Sequence, residues 1–376
     1  MSWTIEFDKR VEKDLRALDK KAANRILKYL AERIASADDP RRSGKALSGD
    51  LSEYWRYRVG PYRVLAIIED EALRILVVRV AHLAEEGSGR MPVAGVRRAA
   101  GAFREACALG PLEEFGAGVA LPEGLDTVVH LAGRAHVLDE PEADPLEAFR
   151  RVNVEGTLNL ARRAADSGVR RFLFVSSVGV NGNVSGRPFT ERDVPAPQEP
   201  YAVSKYEAEQ GLWKLAAETG MEVVVVRPPL VYGPGAPGNF GRLLRWVQRG
   251  VPVPLGAVTR NRRSLVALDN LVDLLVTCLD HPAAAGEMFL VADGEAVSTA
   301  GLLRRVGDAL GRPARLVPVP PGLLRAGARA VGRGEMARRL LDSLQVDISD
   351  TRETLGWEPP VSVDEGLRRA VAPLVG

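Results

Sequence analysis

Three features that mark other classes of protein are scarce in this sequence. Only Cys107 and Cys278 are available for redox chemistry or metal binding, and two cysteines so far apart form neither a disulfide framework nor a zinc knuckle. No apolar run approaches the roughly 18 residues that a membrane-spanning helix requires. The formal net charge is only +2. These absences exclude a disulfide-rich secreted domain, a membrane span and a chain that is strongly basic throughout.

A secretory signal is also missing from the N-terminus. Residues 1–10 alternate charged and apolar side chains, whereas a signal needs a basic stretch followed by an apolar one, so we expect a cytoplasmic protein. A length of 376 residues exceeds what one hydrophobic core usually supports. The sequence therefore predicts two or more domains.

The first 86 residues predict a small α+β domain with two helices on an antiparallel sheet. A short alternating segment at 4–7 comes first, and apolar residues at helical spacing follow it in two stretches. Three β-rich segments then follow one another with turns between them, Gly60-Pro61 being one. Residues 87–92 are polar and without periodicity, and we interpret them as a linker.

This first domain resembles the RelE/ParE toxin superfamily, through I-E-F-D-K-R-V-E-K-D-L at 5–15, K-A-L-S-G-D-L-S-E-Y-W-R-Y-R-V-G-P-Y-R-V at 45–64 and V-V-R-V-A-H at 77–82. The resemblance implies an antitoxin, or the ribosome and its RNA, as partner. Basic side chains on the sheet would bind phosphate. The candidates are Lys45, Arg56, Arg58, Arg63 and His82. Superfamily members continue with basic residues and a tyrosine, whereas this chain continues with L-A-E-E-G-S-G-R.

Residues 93–376 have a different pattern. Apolar strand-like segments at 127–131, 171–176 and 222–227 alternate with long amphipathic stretches. Such alternation predicts parallel crossover units and an α/β doubly wound sheet. We assign 93–230 mainly to this core and 231–376 mainly to a smaller C-terminal substrate lobe.

Two short motifs in this part carry the chemistry. V-S-S-V-G at 175–179 ends a predicted strand, and Y-A-V-S-K at 201–205 begins a predicted helix. Tyr201 and Lys205 share a helix face, so the ammonium is expected to lower the pKa of the phenol while the Ser177 hydroxyl holds a substrate oxygen. Hydride transfer at a carbinol requires such a proton carrier.

The wider order of motifs is specific. D-T-V-V-H-L-A-G at 126–133, N-V-E-G-T at 153–157, the serine strand, the Tyr–Lys helix and R-P-P-L-V-Y-G-P-G at 227–235 follow in turn. Here the chain resembles the extended short-chain dehydrogenase/reductase family of NAD-dependent epimerases and dehydratases. The resemblance implies NAD or NADP as cofactor and Ser177, Tyr201 and Lys205 as the catalytic set. It also implies a cofactor-lining set: Ala132, Gly133, Asn153, Ser176, Lys205 and Pro228. For Asn153, a purely structural role remains an equal alternative.

The family resemblance also implies a sugar attached to a diphosphate as substrate. Asn239 and Arg263 match positions that meet the diphosphate, and an arginine fork suits phosphate oxygens. The stretch at 243–256 most resembles bacterial polysaccharide-pathway enzymes that act on nucleotide-linked or polyprenyl-diphosphate-linked sugars. Epimerisation, reduction and dehydration all stay open, as does a homodimer.

One family element is absent from the sequence. No G-x-x-G-x-x-G occurs before Asp126, although the family needs an opening strand, Gly-rich turn and helix for the pyrophosphate. We interpret 92–98 as the second strand, with Arg97 and Arg98 where an adenosine 2′-phosphate would lie, which favours NADP. The loss predicts impaired cofactor binding. A join between two abridged genes explains why both domains are shortened. Three interpretations of function therefore stay open: an enzyme, a toxin or antitoxin-binding module, and an inactive remnant.

Overall fold

The computed structural model describes residues 4–7, 20–35, 39–46, 54–59, 62–69, 74–82, 93–96, 105–108, 121, 124–135, 144–236 and 238–375. The chain divides into two compact units, Met1–Met91 and Pro92–Gly376. No helix in these ranges is long and apolar enough to cross a membrane.

The first unit contains a five-stranded sheet in the order β1-β5-β4-β3-β2. Its strands are β1 (Thr4–Phe7), β2 (Gly44–Ala46), β3 (Tyr54–Val59), β4 (Tyr62–Glu69) and β5 (Arg74–His82). Helix α1 (Lys20–Tyr29), extended by a π-helical segment Leu30–Ile34, packs against the sheet. Ile26, Leu30 and Ile34 recur every four residues and so form one buried face.

The expectation of a purely antiparallel sheet is wrong at one edge. Strands β2 to β5 pair antiparallel, but β1 runs parallel to β5. Parallel pairing requires a long connection, and the whole helical and hairpin region separates these two strands in the chain. The first of the two predicted helices falls at 8–19, outside the described residues.

The second unit is built on a parallel sheet in the order β13-β10-β9-β8. Its strands are β8 (Thr127–His130), β9 (Arg171–Val175), β10 (Glu222–Arg227) and β13 (Met288–Leu290). Between β8 and β9 run α2 (Pro145–Arg150), a π-helical segment (Arg151–Gly156) and α3 (Thr157–Asp166), and α4 (Pro200–Thr219) connects β9 to β10. The predicted α/β parallel architecture is confirmed.

The prediction that residues near 93 supply a second strand of the parallel sheet is wrong. Strand β6 (Val93–Val96) pairs antiparallel with β7 (Glu105–Ala108) in a separate two-stranded sheet. Only residues 97–104 separate the two strands, and a parallel pair needs a crossover of roughly a dozen residues or more. Arg97 and Arg98 lie outside the described residues.

The C-terminal part of this unit forms a second core beside a three-stranded sheet, β11-β12-β14. These strands are β11 (Leu230–Tyr232), β12 (Arg263–Ala267) and β14 (Ala296–Val297). The helices after β11 are α5 (Gly238–Gln248), α6 (Leu268–Asp280), α7 (Thr299–Ala309), α8 (Pro321–Ala330), α9 (Gly334–Leu341), α10 (Ser349–Leu355) and α11 (Val363–Val375). Helix α6 and strand β13 follow β12 in the chain but pack with the parallel sheet. The chain therefore passes from the C-terminal lobe back to the parallel sheet before it completes the C-terminal lobe.

Candidate active site

The carboxyl ends of β8 and β9 define one edge of the parallel sheet. His130 ends β8 and is followed by Leu131, Ala132 and Gly133, while Val175 ends β9 and leads into Ser176. Because parallel strands end at a common edge, the two loops that follow are neighbours. This edge is where open α/β sheets bind their ligands.

Helix α4 brings Lys205 to this edge. The lysine is only 3% exposed, and its Nζ donates a hydrogen bond to the Val175 carbonyl oxygen at 2.9 Å. The same ammonium stands 4.4 Å from the centroid of the Phe174 ring, at cation–π distance. Tyr201 lies one helical turn earlier, with its ring edge-on to Phe149. The predicted helix-face pair is therefore present, and Lys205 is fixed to β9.

Ser177 lies directly after this strand end and caps a short 3-10 helix, Val178–Val180. Its Oγ accepts a hydrogen bond from the Gly179 amide at 3.1 Å. A Cβ at Gly179 would stand only 3.2 Å from the Cβ of Ala202, so the serine loop packs closely on the first turn of α4. The structure thus brings the loop of Ser177 and the helix of Tyr201 and Lys205 together.

Asn153 joins this helix to the loop after β8. It lies in the π-helical segment, and such irregular turns often occur at functional positions. Its Oδ1 accepts from the Arg134 amide (2.7 Å), while its Nδ2 donates to the Arg134 carbonyl oxygen (3.1 Å) and to Ser204 Oγ (3.0 Å). Ser204 in turn donates to the Tyr201 carbonyl oxygen. The side-chain amide of Asn153 therefore links the Arg134 backbone, after β8, to Ser204 on α4.

Burial dominates the electrostatics of the pair. It lowers the pKa of Lys205 to about 8, although the nearby Glu209 carboxylate opposes this shift. Burial raises the pKa of Tyr201 to about 12. The expectation that the pKa of the phenol is lowered is therefore wrong for this arrangement, because desolvation of the phenolate raises it.

The other expected cofactor-lining residues occupy the same edge. A Cβ at Gly133 would stand 3.2 Å from Asn153 Oδ1 and 3.3 Å from Lys205 Nζ, so this position has little room for a side chain. Ser176 is buried, and its hydroxyl has no hydrogen-bond partner among the described residues. The Pro228 carbonyl oxygen accepts from the Val178 amide at 3.0 Å. Ala132 is half-buried beside them.

His130 is a residue of this edge that the sequence interpretation missed. Its buried ring stacks on Phe174 with a centroid distance of 5.7 Å, and its Nε2 lies 2.9 Å from Thr157 Oγ1. Burial, with a smaller contribution from the charge of Lys205, lowers the pKa of His130 to about 3. The ring is therefore neutral near pH 7. A histidine inside an apolar strand, just before small residues, was the available signal.

The two expected diphosphate ligands are only partly described. Asn239 is the second residue of α5, and its side chain lies outside the described part of the structure. Arg263 begins β12, and its Nη1 donates to the Asp342 carbonyl oxygen at 3.0 Å. Burial lowers the pKa of Arg263. The neighbouring Arg262 is exposed to solvent.

In the first unit, the strand register arranges the basic candidates. Lys45 faces Arg56 across β2 and β3, and Arg58 faces Arg63 across β3 and β4. Since directly opposed residues share a face of the sheet, these four occupy one face, opposite to that of buried Tyr57 and Val64. His82 pairs with Tyr62 and falls on the other face. Their side chains lie outside the described part of the structure.

Comparison with known proteins follows the same division. The family model described as the NAD dependent epimerase/dehydratase family matches residues 80–292. The model of the ParE toxin of the type II toxin-antitoxin system, parDE, matches residues 5–87, so the two matches overlap over 80–87.

Individual proteins that are similar to this chain include epimerases and a structure solved with NADPH. A UDP-glucose 4-epimerase of Vibrio cholerae is 50% identical over 244 residues, covering 64% of this chain and 74% of that protein. An N-acetyl-alpha-D-glucosaminyl-diphospho-ditrans,octacis-undecaprenol 4-epimerase of Escherichia coli O157:H7 is 27% identical over 265 residues, covering 66% and 77%. The structure of RMD from Pseudomonas aeruginosa complexed with NADPH has a TM-score of 0.58 at 24% identity, covering 71% of this chain and 88% of that one, a likeness of fold.

Proposed function

Because the chain belongs to the NAD dependent epimerase/dehydratase family, we propose that residues 92–376 act on a sugar carried by a diphosphate. Ser177, Tyr201 and Lys205 are the proposed catalytic residues. The observation that carries this assignment is the burial of Lys205 at the end of β9, one helical turn from Tyr201 and beside the serine loop. Similarity to epimerases of a nucleotide sugar and of a polyprenyl-diphosphate sugar supports this substrate class.

The residues at this edge fit a dinucleotide. Gly133 allows close approach to the backbone, and the buried Ser176 hydroxyl has a hydrogen bond to give. Gly133, Ser176 and Lys205 are the groups proposed to hold the cofactor. A nicotinamide held there would supply the acceptor for a hydride from the sugar carbon and the means to return it.

The protein residues supply the proton chemistry. With a pKa of about 12, Tyr201 keeps its proton near pH 7 and can donate it to a carbonyl oxygen of the sugar. In the oxidative direction the phenolate that remains after this donation takes the sugar's hydroxyl proton back, so that Tyr201 ends each cycle protonated. Ser177 already accepts a bond from the Gly179 amide, so its own O–H remains available to donate to the sugar oxygen.

The test is a tyrosine exchange with a matched control on the same helix. Tyr201→Phe should lower turnover of a UDP-linked hexose by about 10²- to 10⁴-fold at saturating NAD or NADP, because it removes only the acid/base hydroxyl. Tyr206→Phe, one residue beyond Lys205, should leave turnover unchanged. Equal turnover by both variants would remove Tyr201 from the mechanism, and no turnover by the wild-type chain would contradict the enzymatic proposal.

We also propose that the join between the two units has removed the first strand, Gly-rich turn and helix of the dehydrogenase fold. Strand β8 is the edge of the described parallel sheet, and just after it Leu131 is 64% exposed. Such exposure of an apolar side chain at a sheet edge is expected if a neighbouring strand that once covered it has been lost. Genomic DNA across codons 80–100 tests this, since an uninterrupted reading frame in independent isolates would contradict an accidental join.

A second candidate function belongs to the first unit. The match to the ParE toxin model and the four basic positions on one sheet face favour a module that binds an antitoxin or ribosomal RNA. Binding of the full chain to a cognate antitoxin peptide, lost in an Arg56→Ala/Arg58→Ala variant, would support it. Binding that is absent in the wild-type chain would contradict it.

A further inference from the structure

Helix α8 presents apolar side chains to solvent. None of its residues is fully buried, although Leu324 and Ala328 are partly buried and pack against the C-terminal core. On the outer side, Leu323 is 65% exposed, and Val331, which follows the helix, is 69% exposed. These two and three small residues between them recur at helical spacing. We call this set the α8 stripe: Leu323, Ala326, Gly327, Ala330 and Val331.

Positive charge surrounds the stripe. Residues 321–341, which comprise α8, α9 and the turn between them and are called the α8–α9 hairpin below, contain five arginines and one glutamate. Arg325 and Arg329 lie one helical turn apart on α8, and Arg333 follows in the turn before α9. Arg325 is paired with Asp342, whereas Arg329 and Arg333 form no ion pair with any residue in the described ranges. An exposed apolar face flanked by arginines is typical of a helix that lies in a membrane interface.

The hairpin is tied to the proposed substrate side of the enzyme. Arg339 on α9 donates to Glu199 at 2.7 Å, and Glu199 is the N-cap residue of α4, two positions before Tyr201. Asp342, the C-cap residue of α9, accepts the bond from Arg263. Any partner that binds the hairpin would therefore lie close to the residues of the proposed active site.

We propose that the α8–α9 hairpin docks on an anionic lipid membrane, with the α8 stripe in the headgroup region and with Arg329 and Arg333 on lipid phosphates. This proposal rests on the proposed function in one respect, the substrate: docking would give the site access to a sugar whose diphosphate is attached to a membrane-embedded polyprenyl chain. The stripe is short, so anionic lipid is needed in addition to apolar burial, and docking is salt-sensitive.

Other occupants suit this surface less well. A second copy of the chain would bring the arginines of two hairpins together, and a stripe made largely of alanine and glycine buries too little apolar area for a stable dimer. Nucleic acid would use the arginines but would leave Leu323 and Val331 in water. Of these three, a lipid interface takes up both the charge and the apolar side chains.

The test is co-sedimentation of the full chain with vesicles of phosphatidylcholine alone or with about 30% phosphatidylglycerol. The wild-type chain should bind the anionic vesicles at least about tenfold more than the neutral ones, and less at high salt. Leu323→Glu/Val331→Glu should lower this binding about tenfold or more. Val272→Glu/Val276→Glu is the matched control, because it adds the same charges to exposed apolar positions of α6, and it should keep most of the binding.

Several outcomes would overturn the proposal: no binding of the wild-type chain to anionic vesicles, equal losses in the two double variants, or heparin binding without vesicle binding. Turnover of a water-soluble UDP-hexose separates this inference from the proposed function. The stripe variant should turn it over like wild type. Vesicle binding by a chain that turns over no sugar would contradict the proposed function and leave the docking surface standing.

Discussion

Glu209 and Arg227 form a bidentate ion pair in the interior of the second unit. Arg227 donates from Nε at 3.0 Å and from Nη2 at 2.5 Å to the two carboxylate oxygens, and both side chains are buried. Its remaining Nη1 donates to Asn181 Oδ1 at 3.0 Å. Glu209 lies one helical turn beyond Lys205, and Arg227 ends β10. The pair therefore links the lysine helix to the sheet and to the segment that follows Ser177.

Breaking this pair from one side should be costly. Arg227→Met leaves a buried carboxylate without its counter-charge, and we expect a loss of about 3–5 kcal/mol in the free energy of unfolding. The double variant Arg227→Met/Glu209→Leu should lose clearly less than the sum of the single variants. Urea unfolding measures both. The more exposed pair Arg305–Glu295 is the control, for which Arg305→Met should cost about 1 kcal/mol or less.

Acid should destabilise the second unit through His130. The folded protein holds its pKa near 3, whereas an unfolded histidine titrates near 6.5, so below that pH the unfolded state binds the proton first. Stability is therefore full above about pH 6.5 and falls as the pH decreases, by roughly 2 kcal/mol at pH 5. Urea unfolding at pH 7 and 5 measures this. His130→Gln should remove most of this loss of stability between pH 7 and 5, and His281→Gln should retain it. An equal loss in the two variants would contradict the assignment to His130.

The parallel core was predictable because its signals are local. A run of four valines at 223–226 can be stable only when both faces are covered, and β10 has the predicted bounds. The spacing of Tyr201 and Lys205 likewise places both on one face of a helix without knowledge of any partner. Elements of this kind are determined by side chains that lie near one another in the chain.

Long-range pairing was not predictable in the same way. Nothing local in the first strand indicates that β1 pairs with β5, and the antiparallel partner of β6 is a segment without a strong strand pattern. The pair of Glu209 with Arg227 and the effect of burial on Tyr201 depend on which elements pack together. Their physical causes, desolvation and charge proximity, exist only after folding.

We predict that the toxin-like unit is harmless or weakly toxic. Superfamily members complete their phosphate site with basic C-terminal residues, whereas this chain has Glu85 and Glu86 there, outside the described residues, and acidic side chains repel phosphate. Inducing the full chain, or residues 1–90, without an antitoxin should leave bacterial growth close to that of an empty vector. Growth arrest that Arg63→Ala relieves would contradict the prediction.

The last prediction concerns dinucleotide affinity. In doubly wound sheets the pyrophosphate is bound mainly by the first strand-turn-helix, where glycine backbone and free helix N–H groups meet the phosphate oxygens. This sequence has no G-x-x-G-x-x-G before Asp126, and the residues proposed to hold the cofactor, Gly133, Ser176 and Lys205, do not replace that phosphate-binding turn. Losing several charge-assisted hydrogen bonds, each of about 1.5–3 kcal/mol, should weaken binding by a few powers of ten.

Titration calorimetry with the purified full chain measures this directly. We expect no co-purified NAD or NADP and a Kd for either in the range of roughly 1 mM or weaker. Grafting an intact family strand-turn-helix in front of residue 93 should restore micromolar affinity, because the other residues proposed to hold the cofactor are already at the sheet edge. A Kd below about 10 μM for the unmodified chain would show that another segment binds the pyrophosphate. The join would then have replaced the phosphate-binding element and not removed it.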